Sequence, residues 1–200
     1  DPNSINIGQH VEDLSRLIEY LGVEKCSLLG HSHGGWISLL YAANYPDMLD
    51  KLILVCAEME SIDGFDVAQN AFLEKRKPTC EEAVLQMLEA AACQFSNLRS
   101  DIEFMDWFHA VIPLYAHNPT DLQYKFSTVS LTDFSIQALH ASHRSNALFP
   151  IGDLLSEIQV PTLVVNGSSD FLGLRLMAER FAQTLPKVQQ EVISNAGHFP

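Results

Sequence analysis

The chain has 200 residues, 47% hydrophobic and 18% charged, a balance that suits a globular fold with a buried core and excludes a disordered or fibrous one. Its 12 basic residues against 25 acidic ones leave a formal charge of −13, so a nucleic-acid duplex or an anionic membrane surface would be repelled. The length allows one domain with a large insertion.

Asp1-Pro2-Asn3-Ser4 is polar and leads into a helix, unlike a secretory leader, so a cytoplasmic location is expected. Val11, Leu14, Leu17, Ile18 and Leu21 recur at three- and four-residue spacing and predict a helix over 8–21, stopped by Gly22. Lys25-Cys26-Ser27-Leu28-Leu29-Gly30 suits a short buried strand. A second helix is expected from about Gly34, with Trp36, Leu39, Leu40 and Ala43 on one face and Pro46 at its end. Leu52-Ile53-Leu54-Val55-Cys56 is apolar throughout rather than alternating. Strands of that kind separated by helices predict an α/β fold, with a mostly parallel sheet covered on both faces.

Between Ala57 and Pro150 helices dominate. Thr79 with Glu82 and Ser100 with Glu103 have capping-box spacing, and Thr120 and Thr132 suit caps of two further helices after breaks at Pro113 and Pro119. Glu81-Glu82 reads as a solvated helix start that complements the dipole. Phe104, Trp107 and Phe108 are expected to pack a local core, with an apolar pocket lining as the alternative. The alternation resumes with the strand Val160–Val165, a helix over about 173–184, and the strand Gln190-Glu191-Val192-Ile193. The expected division is a core of residues 1–56 and 151–200, interrupted by a helical cap over 57–150.

Cys26, Cys56, Cys80 and Cys93 have no Cys-x-x-Cys spacing, and the first two fall in strand-like runs where a free thiol behaves as a small hydrophobe. Neither a disulfide framework nor a zinc site is expected. No apolar stretch approaches the roughly 20 residues of a membrane-spanning helix. The sequon Asn166-Gly167-Ser168 falls at a buried strand end.

Gly30-His31-Ser32-His33-Gly34 is a G-x-S-x-G sequence directly between a predicted strand and a predicted helix, the context of a nucleophile elbow. Glycines at both ends let strand and helix approach where a Cβ would collide, and the serine projects at the sheet's carboxyl edge. The backbone N–H of His33 then points at a developing oxyanion, aided by the positive end of the helix. A serine at neutral pH needs a base beside it, and the base needs an orienting acid. His198, in the loop after the last strand, fits the base. Asp170, after the strand Leu163–Val165, fits the acid, with Glu58 and Asp63 as rivals.

These residues resemble the α/β-hydrolase superfamily over nearly the whole chain. The resemblance includes the helix Gln9-His10-Val11-Glu12-Asp13-Leu14 and the approach Ile158-Gln159-Val160-Pro161-Thr162-Leu163-Val164-Val165 to the acid strand. It looks closest to capped members such as proline-iminopeptidase-like and carboxylesterase-like hydrolases. It implies a Ser32–His198–Asp170 triad cleaving a small ester, amide or short peptide through an acyl-enzyme. A receptor-like or silent member of the fold, and a carbon–carbon bond hydrolase with the same triad, are the alternatives. Proline iminopeptidases usually carry Trp where His33 stands, and use cap carboxylates, for which Glu103, Asp106, Asp121 and Asp133 are available here. The resemblance also implies strands before the elbow, including a second oxyanion donor, and a helix after His198. Neither is present, so the chain is expected to be a fragment with its elbow strand at an open sheet edge.

The pair His31 and His33 is expected to diverge at the elbow, and His140 and His143 to share a helix face, with no metal held by either pair. No phosphate loop or dinucleotide fingerprint appears, so no organic cofactor is expected.

Overall fold

The computed structural model describes residues 5–60, 97–118, 135–172 and 175–200, with Glu74, Glu82 and Gln86 as isolated positions. Helix α1 (Ile7–Tyr20) starts on Asn6, whose Oδ1 accepts from the Gln9 N–H at 2.8 Å, and turns off at Gly22, where φ is 64°. It buries Ile7, Val11 and Ile18. Leu17 and Leu21 stay exposed, so its apolar stripe is wider than its seat.

Strand β1 (Cys26–His31), helix α2 (His33–Asn44) and strand β2 (Leu49–Val55) follow, with a tight turn at Pro46–Met48 before β2. Strand β2 begins earlier than its apolar run: Leu49 and Lys51 pair with Cys26 and Ser27 of β1, while Asp50 between them is skipped by the register, and the Asp50 and Lys51 side chains face solvent. Strand β3 (Thr162–Gly167), helix α5 (Arg175–Thr184) and strand β4 (Val188–Ile193) form a second strand–helix–strand unit. The four strands lie in the order β1-β2-β3-β4, all parallel, with Leu52 opposite Thr162 at the join of the two units. The expected parallel α/β sheet is the observed one.

The main core packs Leu39, Tyr41, Leu52, Leu54, Val164 and Phe181 between sheet and helices. Two helices of the intervening segment are described: α3 (Asp101–Val111) and α4 (Ile136–Ser145). Helix α3 carries the capping box anticipated at Ser100 and Glu103, with Ser100 Oγ accepting from the Glu103 N–H at 3.2 Å and the Glu103 carboxylate accepting from the Ser100 N–H at 3.1 Å. Phe104 is buried with Leu98 and Ile136, and Trp107, Phe108 and Leu139 pack around them, so the aromatic cluster joins α3 to α4 as local core. Asp101 Oδ1 also accepts from the Ile136 N–H at 2.7 Å. Thr79, Glu81, Thr120, Thr132, Cys80, Cys93, Asp63, Asp121 and Asp133 lie outside the described residues. Among the described residues no helix is long and apolar enough to cross a membrane.

Candidate active site

Ser32 sits between β1 and α2 with φ 54° and ψ −126°, a backbone conformation that costs a non-glycine residue on the order of 1–3 kcal/mol. The end of β2 holds it there. Its N–H donates to the Val55 carbonyl at 3.1 Å, and its own carbonyl accepts from the Gly35 N–H at 2.9 Å and the Glu58 N–H at 3.1 Å. A Cβ at Gly30 would collide with the Gly34 carbonyl and Ser38 Oγ, as expected for the strand side of the turn. On the helix side the crowding differs from expectation: it falls on Gly35, which meets Ala57, while Gly34 faces open space.

Asp170 and His198 lie at the same carboxyl edge, on the loops that follow β3 and β4. Those loops are stitched together: Ser168 N–H donates to the Ile193 carbonyl at 2.9 Å, Ser169 N–H to the Ala196 carbonyl at 2.8 Å, and Asn195 N–H to Ser168 Oγ at 3.0 Å. His198 Nδ1–H donates to Asp170 Oδ2 at 3.1 Å, which leaves Nε2 with its lone pair. Asp170 Oδ1 accepts from the Leu172 N–H at 3.1 Å. Both side chains are almost fully buried, 1–2% exposed.

The structure therefore joins two of the three anticipated groups directly. Among the described residues the Ser32 hydroxyl makes no hydrogen bond to His198. Its neighbour His31 does meet that residue: His31 Nε2–H donates to the His198 carbonyl at 2.8 Å, and the two rings are 4.6 Å apart. In unliganded sites such serine–histidine bonds are often long and close on the substrate. His33 turns the other way, toward Glu58 and Ser142, so the two elbow histidines diverge as expected. Glu58, the rival acid, is thereby engaged with His33.

Two residues of the site carried no signal in the sequence. Tyr115, in the turn Ile112–Tyr115 after α3, accepts the His198 N–H on its carbonyl at 2.6 Å and sets its ring edge-on to the imidazole at 5.2 Å. Burial, and then the Asp170 charge, raise its phenol well above the ordinary range. Cys56, at φ 41° just past β2, places Sγ 3.8 Å from the Gly197 carbonyl. Burial, and then the neighbouring Asp170 carboxylate, push its thiol up to about 12, so it stays protonated. Cys56, Asp170 and His198 bring ligand-type atoms within 4.8 Å of one another. The hydrogen bond from His198 Nδ1 to Asp170 brings two of the three together.

His10, His31 and His143 are all held below their ordinary value of 6.5, each first by loss of solvent around the ring. Below about pH 6.5 the unfolded chain takes protons that these folded rings refuse, so unfolding is favoured. Folding stability should be flat in this respect above pH 7 and fall as pH drops below 6.5, levelling only once the folded rings protonate. Urea midpoints measured from pH 7.5 to 5 test this; a midpoint that holds or rises on acidification would contradict it.

The profile of the alpha/beta hydrolase fold family matches residues 2–200. A proline iminopeptidase of Lactobacillus delbrueckii subsp. bulgaricus is 26% identical over 201 residues, covering 95% of this chain and 64% of the relative. The strigolactone esterase of Arabidopsis thaliana is 23% identical over 194 residues, covering 96% and 66%. This chain thus spans about two-thirds or slightly less of the length of these relatives. An alpha/beta fold family hydrolase from Bacillus anthracis str. Sterne superposes with a TM-score of 0.72 over 99% of this chain and 69% of its own, at 14% identity, a likeness of fold.

Proposed function

This chain belongs to the α/β-hydrolase fold family, and from that premise we propose that it is a serine hydrolase cleaving an ester, amide or peptide bond of a small substrate through an acyl-enzyme on Ser32. The observation that carries the reading is the strained Ser32 at a strand–helix turn, on the same sheet edge as the buried Asp170–His198 pair. Ser32 Oγ attacks the carbonyl carbon while its proton passes to His198 Nε2. Asp170 holds the imidazole in the required tautomer and offsets its charge. The His33 N–H, at the first turn of α2, meets the oxyanion. The tetrahedral intermediate collapses, the leaving group departs with the proton from His198, and water repeats the sequence on the acyl-enzyme. The relatives named above, an iminopeptidase and an esterase, support amide and ester substrates alike.

Residues 57–150 are the proposed cap. That reading is supported by α4, whose Ser142 reaches the His33 side chain at the elbow. A cytoplasmic setting belongs to the same reading, and the free thiols of Cys26 and Cys56 are consistent with it.

The test is covalent labelling. A fluorophosphonate should add one phosphonyl group per chain, and peptide mapping should find it on Ser32. Label on another serine, or none, would refute the assignment.

A further inference from the structure

A second series of hydroxyl, imidazole and carboxylate begins one residue beyond Ser32. His33 Nδ1 lies 2.5 Å from Glu58 Oε1, and His33 Nε2 lies 3.1 Å from Ser142 Oγ on α4. The ring is also stacked on His143, with centroids 5.8 Å apart, and meets Trp36 edge-on at 6.2 Å. Glu58 thus grips the elbow twice. Its N–H binds the Ser32 carbonyl, and its carboxylate binds the side chain of the next residue.

This series is unsuited to being a second nucleophilic site. Ser142 lies inside α4, where backbone N–H groups are taken up by the helix and none is free to meet an oxyanion. It is buried, and its carbonyl accepts from Ser145 Oγ at 2.7 Å. What the arrangement does do is tie three segments together at one imidazole: the loop after β2, the start of α2 and the middle of α4.

We propose that Glu58, His33 and Ser142 form a positioning relay that fixes the His33 main-chain N–H over Ser32 and seats α4 on the elbow. It rests on the reading that Ser32 is the nucleophile and that this N–H meets the oxyanion. Glu58 acts through His33 and touches no reacting atom; the carboxylate that a sequence reading offers as a rival to Asp170 has a separate task. The titratable groups around the His33 ring are Glu58 from the loop after β2, His143 from α4 and, through charge, His10 from α1.

The test compares the unmodified chain with Glu58→Gln and Ser142→Ala, which are close in shape to what they replace. With p-nitrophenyl acetate, Glu58→Gln should lower kcat by up to about 10²-fold, the cost of misplacing a group by ~1 Å, while KM stays nearly constant. Ser142→Ala should move kcat the same way, by less. Imidazole NMR supplies a readout without turnover. The Glu58 carboxylate raises the His143 titration against burial and its two histidine neighbours, so Glu58→Gln should shift that titration lower still. An unchanged kcat in Glu58→Gln, with the His143 shift present, would overturn the relay and leave a purely structural contact. An unshifted His143 would show that the cluster does not form. Fluorophosphonate adding to Ser142 in a Ser32→Ala background would make that serine a nucleophile and likewise overturn the proposal. A chain that takes no label at all fails at the serine-hydrolase reading, and that failure is recognised in the unmodified protein before any variant is made.

Discussion

Replacing Ser32 with alanine should lower kcat by roughly 10⁶-fold, and Asp170→Asn by about 10⁴-fold, with KM little altered in either. The two losses have different causes. Alanine removes the atom proposed to form the acyl bond. Asparagine keeps the shape of Asp170 and its acceptor for the Leu172 N–H, but can present an amide N–H to His198 Nδ1. The imidazole then turns to the opposite tautomer, with its proton on Nε2, where it has no lone pair to take the serine proton. Burial makes the effect large, because no water can replace the lost carboxylate around side chains only 1–2% exposed. Glu58→Gln run in parallel separates the two acids: the relay predicts a smaller loss. Asp170→Asn turning over at the parent rate would remove Asp170 from the mechanism.

Gly197→Ala should destabilise the fold by about 3 kcal/mol, the upper end of ordinary overpacking, and cost activity in the fraction that folds. A Cβ there would run into the Tyr115 carbonyl and the Ala116 carbonyl carbon. Both are backbone atoms, so no side-chain rotation relieves the collision. The same backbone stretch accepts the His198 N–H, and moving it displaces the imidazole. Gly167→Ala drives into this seam from the other side, against the Gly197 and Ala196 carbonyls. Urea titration of both variants reads the loss; an unchanged midpoint for Gly197→Ala would show that the loop is not packed in this way.

Much of this architecture is legible in local pattern. Leu52–Cys56 and Val160–Val165 have no polar alternation, and that alone demands a sheet covered on both faces. The strained turn at Ser32 is legible because its residues are contiguous, and the meeting of Asp170 with His198 because each follows a strand by only a few residues. Other features depend on packing. Tyr115 reaches His198 from the far end of α3, and Ser142 reaches His33 from another helix again; no periodicity encodes either meeting. Strand boundaries are blurred where a polar side chain hangs from paired backbone, as at Lys51, or where the register skips a residue, as at Asp50. The placing of Glu58 shows the limit most clearly. A carboxylate after a strand near an elbow has two histidines within plausible reach, and only the bend after β2, with Cys56 at φ 41°, directs it to His33.

The pairing of Leu52 with Thr162 has a consequence for how the molecule comes together. Each strand–helix–strand unit closes a short loop, whereas joining β2 to β3 must close the long segment between them, and closure entropy rises with loop length. Ser32 belongs to the first unit; Asp170 and His198 belong to the second. Ser32 and the Asp170–His198 pair are therefore brought to one sheet edge only by that union. Any lesion that frees that seam separates the proposed nucleophile from its proposed base while leaving each strand–helix–strand unit its own strand pairing.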